Sequence, residues 1–282
     1  MLEQAFESDR PDVAERRARL ARVLDRLPPA RSDGEHSVLG GESLADRARP
    51  AAGADPVPVL EPLRTVLPDG LRRGGVAAVR TRDRQVDYLS LALLAGALGD
   101  ERRLWVAAVG APELGGVALT ELLADTAAGA DGLDRLVLAP DPGDKWPGVL
   151  IEMAAGFDLV LVRPPADVAA ATGRQVDARL RPGRTGHSAA VLVLGDWRSA
   201  YLTLTSERVS WSGLHGLDGP PGLAGTGHLT GGRATVRASG RATGGRVRSV
   251  ELMMPTSSGG LALAVDEPAT AVAGRRALTA VA

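Results

Sequence analysis

The residues that bear most directly on chemistry connect an apolar run, Val76–Val79, to a helix that begins near Asp87. The eight residues from Arg80 to Asp87 have the length of the phosphate-binding loop GxxxxGK[ST]. Laid over that motif without gaps, Arg80 and Gln85 replace the glycines, Val86 replaces the lysine and Asp87 replaces the magnesium-binding Ser/Thr. A phosphate loop needs glycine backbone N–H groups and a lysine charge around the phosphates. The sequence therefore predicts the scaffold of a nucleotide site without its chemistry, or an ordinary βα unit that never held nucleotide.

Other catalytic patterns are absent from the sequence. The single lysine, Lys145, lies in DPGDKWPG, and the predicted fourth strand ends at Arg163, where a nucleotide-hydrolysing sheet would place a magnesium-binding aspartate. There is no cysteine and no GxSxG nucleophile elbow. The four histidines have no metal-ligand spacing: His36, His187, His215 and His228. We therefore predict no catalytic residue, no cofactor and no metal site.

Composition restricts the classes of protein that remain. The 282 residues are 44% hydrophobic with a formal net charge of −1, which fits a globular protein and argues against a globally basic nucleic-acid binder. The start Met1–Gln4 lacks the basic and apolar regions of a signal peptide, and no apolar stretch approaches the ~20 residues of a membrane span. We expect a cytoplasmic protein.

Continuous apolar strands alternate with helical patterns through the middle of the chain, which is typical of a parallel sheet covered by helices on both faces. The predicted fold class is therefore α/β. The organisation predicted from composition is an N-terminal helix at 1–27, a flexible linker at 28–60, a core at 61–197, a β-rich region at 198–254 and a mobile tail at 255–282. A helical pattern over Leu114–Thr120 continues over Glu121–Ala130, further helices are expected over Trp146–Ala155 and Ala166–Leu180, and a short strand or docking segment is expected over Leu261–Val265.

The predicted N-terminal helix is amphipathic, with arginines on its other face. It is either a solvated helix packed on its own domain or a helix offered to a partner or a second protomer. Because the predicted linker separates it from the core, it need not pack locally. Its candidate contact residues are Val13, Leu20, Val23, Leu24 and Leu27.

A second candidate surface lies near the C-terminal end, where two strands are predicted over Arg233–Arg241 and Arg246–Met254. Basic side chains recur at a period of two on the first strand, so they share one face. The favoured interpretation is the solvent face of an edge hairpin protected by charge, and the alternative is a strip that contacts DNA phosphates. The candidate residues are Arg233, Arg237, Arg241, Arg246 and Arg248.

Five stretches between Leu67 and Trp197 together resemble the RecA-like recombinase core: LPDGLRRGGVAAV, LWVAAVGAPELGG, LDRLVLAPDPGDKW, FDLVLVRPP and SAAVLVLGDW. The run LDRLVLAPDPGDKWPGVLIEMAAGFDLVLVRPP resembles the ImuA-type mutasome accessory proteins, specifically the actinobacterial ImuA-prime branch. The resemblance implies a RecA-like fold and a role in damage-induced mutagenesis. Its implied partners are an ImuB-like Y-family polymerase homologue, an error-prone C-family polymerase and RecA.

The departure from the phosphate-loop motif leads us to expect a non-enzymatic adaptor in translesion synthesis that associates with the nucleoid when active. Because recombinases of this fold bind a neighbouring core through an N-terminal segment, the resemblance also implies self-association, which deletion of Met1–Pro29 would abolish. Alternatives are a single-stranded DNA-binding module, an ATPase with an unusual loop and a SulA-like cell-division inhibitor.

Overall fold

A computed structural model describes residues 55–166, 168–180, 189–214 and 227–264. The predicted N-terminal helix and most of the predicted linker lie outside the described residues. Within these ranges the strands are β1 Val76–Arg80, β2 Val106–Val109, β3 Leu136–Ala139, β4 Leu159–Val162, β5 Ala190–Leu194, β6 Leu202–Leu214, β7 Gly227–Gly240, β8 Arg248–Met253 and β9 Ala262–Leu263. The helices are α1 Tyr88–Leu98, α2 Gly116–Leu123, α3 Trp146–Gly156 and α4 Ala170–Leu180.

All nine strands form one sheet in the order β3-β2-β4-β5-β1-β6-β7-β8-β9. The pairs from β3 to β6 are parallel, and those from β6 to β9 are antiparallel. Helices follow β1, β2, β3 and β4, as parallel connections require. This mostly parallel sheet with helices is consistent with a RecA-like α/β fold and confirms the predicted fold class.

Two layers of helices bury the central strands. On the first face, α1 and α2 pack on side chains such as Val79, Leu161 and Leu192. On the second face, α3 and α4 pack on the alternate side chains, among them Val160 and Val193. Because both faces are covered, the strands are apolar throughout rather than alternating.

Helix α1 is buried on nearly all sides, which explains its apolar sequence. Gly96 lets a neighbouring chain segment cross the helix, since an added Cβ there would lie 2.6 Å from the Val59 Cα. Val57 and Val59 are themselves buried in the first-face core. The predicted linker is therefore wrong at its C-terminal end, where these residues belong to the domain.

The β-rich region is an extension of the same sheet rather than a separate unit. β6 pairs in parallel with β1, and Leu204, Val236 and Leu252 share the first-face core with α1. β9 lies within the predicted Leu261–Val265 strand and pairs with β8. The predicted mobile tail is therefore wrong for residues 255–264, and 265–282 lie outside the described residues.

Two predicted helix boundaries also change. The helix expected to run to Ala130 ends at Leu123, whose carbonyl accepts hydrogen bonds from the Thr126 backbone N–H and hydroxyl. These bonds close the chain into a turn. The helix expected from Ala166 begins at Ala170.

Candidate functional site

The connection from β1 to α1 is a tight turn at the carboxyl edge of the parallel sheet. Asp83 and Arg84 have φ angles of 53° and 55°, in the left-handed region that favours glycine. The Gln85 N–H donates to the Arg82 carbonyl at 3.1 Å, and the Thr81 hydroxyl donates to the Gln85 carbonyl at 2.6 Å. The strand, loop and helix predicted from the sequence are present, but the loop closes on itself without glycine.

Asp87 occupies the start of α1, where a phosphate loop would present free N–H groups. Its Oδ1 accepts hydrogen bonds from the Ser90 backbone N–H at 2.8 Å and the Ser90 hydroxyl at 2.7 Å. Burial raises the pKa of the Asp87 carboxyl above its ordinary value, and the hydrogen bonds from Ser90 partly oppose that rise. This arrangement is an N-cap. The cap occupies the Ser90 backbone N–H, which a bound anion would need as a donor, and it places the Asp87 carboxyl group at the same helix end.

The Arg84 side chain lies across the ends of β4 and β5. Its Nη1 donates to the Pro164 carbonyl, just after β4, at 3.2 Å. Its stem packs on Gly195, just after β5, so closely that a Cβ on Gly195 would lie 2.7 Å from the Arg84 Cδ. Gly195 itself has a φ of +106°. The space beside the β1 loop, at the edge where open α/β sheets commonly bind ligands, is therefore filled by a side chain of the protein.

Two ion pairs flank Arg84 along the same edge. The Arg80 Nε lies 2.5 Å from the Asp196 Oδ1, in a pair exposed to solvent. Arg163 at the end of β4 pairs with Glu113, whose Oε1 also accepts a bond of 3.4 Å from the Val86 N–H. The position where a magnesium-binding aspartate would stand therefore holds a cation that is already paired.

Polar groups at this edge pair with one another, as in Arg80–Asp196 and Arg163–Glu113. The described residues contain no group of three or more His, Cys, Asp or Glu arranged to bind a metal ion. Sequence reasoning identified the loop positions Arg80, Gln85, Val86 and Asp87 but missed the contact of Arg84 with Gly195. The one signal in the sequence was Gly195, directly after the apolar strand β5, because a glycine at such a position often marks the close approach of another chain segment.

The five arginines of the predicted basic strip lie on different surfaces of the protein. Along β7, Ala234, Val236 and Ala238 are buried, and Arg233 and Arg237 lie on the opposite face, as predicted. Arg233 pairs with Glu251 at 3.6 Å and Arg237 with Glu207 at 3.5 Å. These two arginines therefore lie on a face where glutamates balance their charge.

The other three arginines do not extend that face. Arg248 pairs in register with the buried Ala238, which places it on the first face of the sheet. Arg241 follows β7 and donates to the Ser199 carbonyl at 3.0 Å, and Arg246 lies exposed before β8. The five candidates therefore do not form one surface. The candidate contact residues of the N-terminal helix, from Val13 to Leu27, lie outside the described residues.

Comparison with known families covers the part of the chain that contains this edge. Residues 65–199 match the family model described as the MT3502 N-terminal domain. The match begins within the short helix Glu61–Thr65 and ends just before β6, so it includes the β1 loop, Arg84 and Gly195. It spans slightly less than half of the chain.

The MT3502 N-terminal domain match neither states an activity nor names ImuA or RecA. No curated protein matches the chain. Among the described residues, no helix is long and apolar enough to cross a membrane.

Proposed function

We propose that the protein is a non-catalytic adaptor, built on a RecA-like core that works without nucleotide, in damage-induced translesion DNA synthesis. The observation that carries the proposal is the Arg84 side chain packed on Gly195 at the carboxyl edge of the sheet. A nucleotide at this edge would have to displace that side chain. It would also meet the Asp87 carboxylate at the start of α1.

The flanking ion pairs support the same proposal. A motor that cycles with nucleotide needs a loop that opens for phosphate and an acidic residue for magnesium. Here Arg163 is paired with Glu113, and Glu113 is bonded to the loop through the Val86 N–H. The loop and two strand ends are thereby tied together, which favours a scaffold with one conformation at this edge.

The partner assignment rests on the sequence resemblance. It names an ImuB-like polymerase homologue as the direct partner, with the C-family polymerase and RecA as further members of the assembly. Two regions are offered for docking: the predicted N-terminal helix, and the antiparallel strands β6–β9 beyond the matched domain. The charge balance of Arg233 and Arg237 with glutamates disfavours the alternative in which those strands bind DNA.

Two measurements on one purified sample of the full chain test the proposal. Calorimetry with Mg-ATP is expected to show no heat of binding, and the chain is expected to co-purify with the ImuB-like protein from the same genome. The control variant Arg84→Ala removes the side chain from the edge and should still bind no ATP, because the loop lacks glycine and lysine. Micromolar ATP binding by the unmodified chain would refute the nucleotide-independent core, and failure to co-purify would refute the partner.

A further inference from the structure

A groove with a mixed apolar and polar lining runs between the exposed sides of helices α3 and α4 on the second face of the domain. Its volume is about 670 Å³, within the range of about 300–1,000 Å³ that is common for binding sites. The apolar lining comes from both helices and the segment between them: Trp146, Ile151, Pro165, Val168 and Val176. Ile151 is the only isoleucine in the chain, and it lies partly exposed on this surface.

The helices leave this groove open because each buries only one narrow stripe. On α3 the buried residues are Trp146, Leu150 and Ala154, spaced four apart. On α4 they are Val176 and Leu180. Ile151 lies one position beyond the α3 stripe, so it faces the gap rather than the sheet. An apolar segment laid along the groove would cover it.

The rim of the groove has a small excess of negative charge. It carries two exposed carboxylates, Asp144 and Glu152, against one cation, Arg179. The segment 11–27 carries five arginines against Asp12, Glu15 and Asp25. Opposite net charges on two surfaces steer and orient their association. The groove and the segment are therefore complementary in both hydrophobicity and charge.

We propose that residues 11–27 dock as a helix in the α3/α4 groove of the same chain, with Leu20, Leu24 and Leu27 facing its floor. These leucines span seven residues, which is about 10 Å of helix, and the helices α3 and α4 of 11 residues each are about 16 Å long. The 27 residues between the segment and Asp55 span up to about 90 Å, so the tether reaches the groove. Docking covers the helix surface that the proposed function offers to a partner.

The absence of cysteine makes a cross-linking test clean. In the full chain, the pair Leu24→Cys with Ile151→Cys is expected to form an intramolecular disulfide under mild oxidation. The matched control pairs Leu24→Cys with Val117→Cys, since Val117 is exposed on α2 on the other face of the sheet. The tether reaches both sites. If the segment docks in the groove, the disulfide of the groove pair should form at least about tenfold faster than that of the control pair. Equal rates, or no disulfide in the groove pair, would overturn the proposal.

A disulfide that links two chains would also overturn it, and would support the self-association that the resemblance implies. A second measurement does not depend on cysteine variants. Hydrogen exchange in α3 and α4 should become several-fold faster in Leu20→Asp/Leu24→Asp, while β6–β8 stays unchanged. Ala18→Gln, on the polar side of the segment, keeps its charge; it is the control and should leave exchange unaltered. Because neither readout uses ATP or a partner protein, failure here is distinguishable from failure of the proposed adaptor function.

Discussion

The contact between Arg84 and Gly195 makes a quantitative prediction about stability. Gly195→Ala introduces a side chain at a φ of +106°, which costs about 1–3 kcal/mol of the free energy of unfolding. The new Cβ would also lie 2.7 Å from the Arg84 Cδ, and overpacking of this kind adds about 1–3 kcal/mol. We therefore expect Gly195→Ala to lower the free energy of unfolding by roughly 2–6 kcal/mol.

A double-mutant cycle separates these two costs. In an Arg84→Ala background the steric part disappears, because alanine has no Cγ or Cδ, and only the backbone cost remains. The coupling energy between the two positions should therefore be about 1–3 kcal/mol, with Gly195→Ala less harmful when the Arg84 side chain is absent. Urea unfolding followed by tryptophan fluorescence measures it, provided that the m-value stays constant across the four proteins.

Gly110→Ala is the matched control for this cycle. Gly110 also has a positive φ, +72°, and an added Cβ would also lie 2.7 Å from its nearest neighbour. That neighbour is the Arg163 carbonyl oxygen, which Arg84→Ala does not remove. Gly110→Ala should therefore cost the same in both backgrounds. If the cost of Gly195→Ala is likewise independent of Arg84, within about 0.3 kcal/mol, Arg84 does not lie over Gly195 and the reasoning fails.

Three further predictions concern Asp87 and the basic strip. Asp87→Ala should lower the free energy of unfolding by about 1 kcal/mol through loss of the helix cap, whereas Asp87→Asn should retain it; equal losses in urea unfolding would contradict the cap. Burial raises the pKa of Asp87 above its ordinary value of 3.8. The contribution of Asp87 to the free energy of unfolding is therefore fully present below pH 3.8 and is lost as pH rises through the higher pKa of the folded state. The stability of Asp87→Asn relative to the unmodified chain should therefore increase as pH rises above 3.8, and a decrease in urea unfolding would refute the sign. Since Arg237 is paired with Glu207, single-stranded DNA binding measured by fluorescence anisotropy should be weak and unchanged in Arg237→Glu/Arg241→Glu; tight, salt-sensitive binding lost in that variant would restore the DNA-binding alternative.

Much of the fold was predictable because a parallel sheet with two covered faces leaves a strong local pattern. The strands β2, β4 and β5 are short runs of buried apolar residues, whereas β1 ends in the exposed Arg80 and β3 buries only Val137. The boundaries of α2 and α4 were not predictable to the residue. The end of α2, for example, depends on the hydrogen bonds that Thr126 donates to the Leu123 carbonyl, which hydrophobic periodicity does not report.

The features of the candidate site were also predictable only in part. Residue types alone show that the β1 loop lacks the glycines and the lysine of a phosphate-binding loop at Arg80–Asp87. The sequence also determined the alternation of Arg233 and Arg237 with buried residues along β7, since the side-chain period of a strand is local.

The contact that fills the carboxyl edge beside the β1 loop depends on the tertiary structure. Arg84 and Gly195 are more than one hundred residues apart, and their contact exists because β1 and β5 are neighbours in the sheet. The same holds for the pairing of Arg237 with Glu207 and the placement of Arg248 on the opposite face, both of which follow from strand register. Strand order arises from packing between distant segments, so the local pattern of one segment does not specify its neighbours in the sheet.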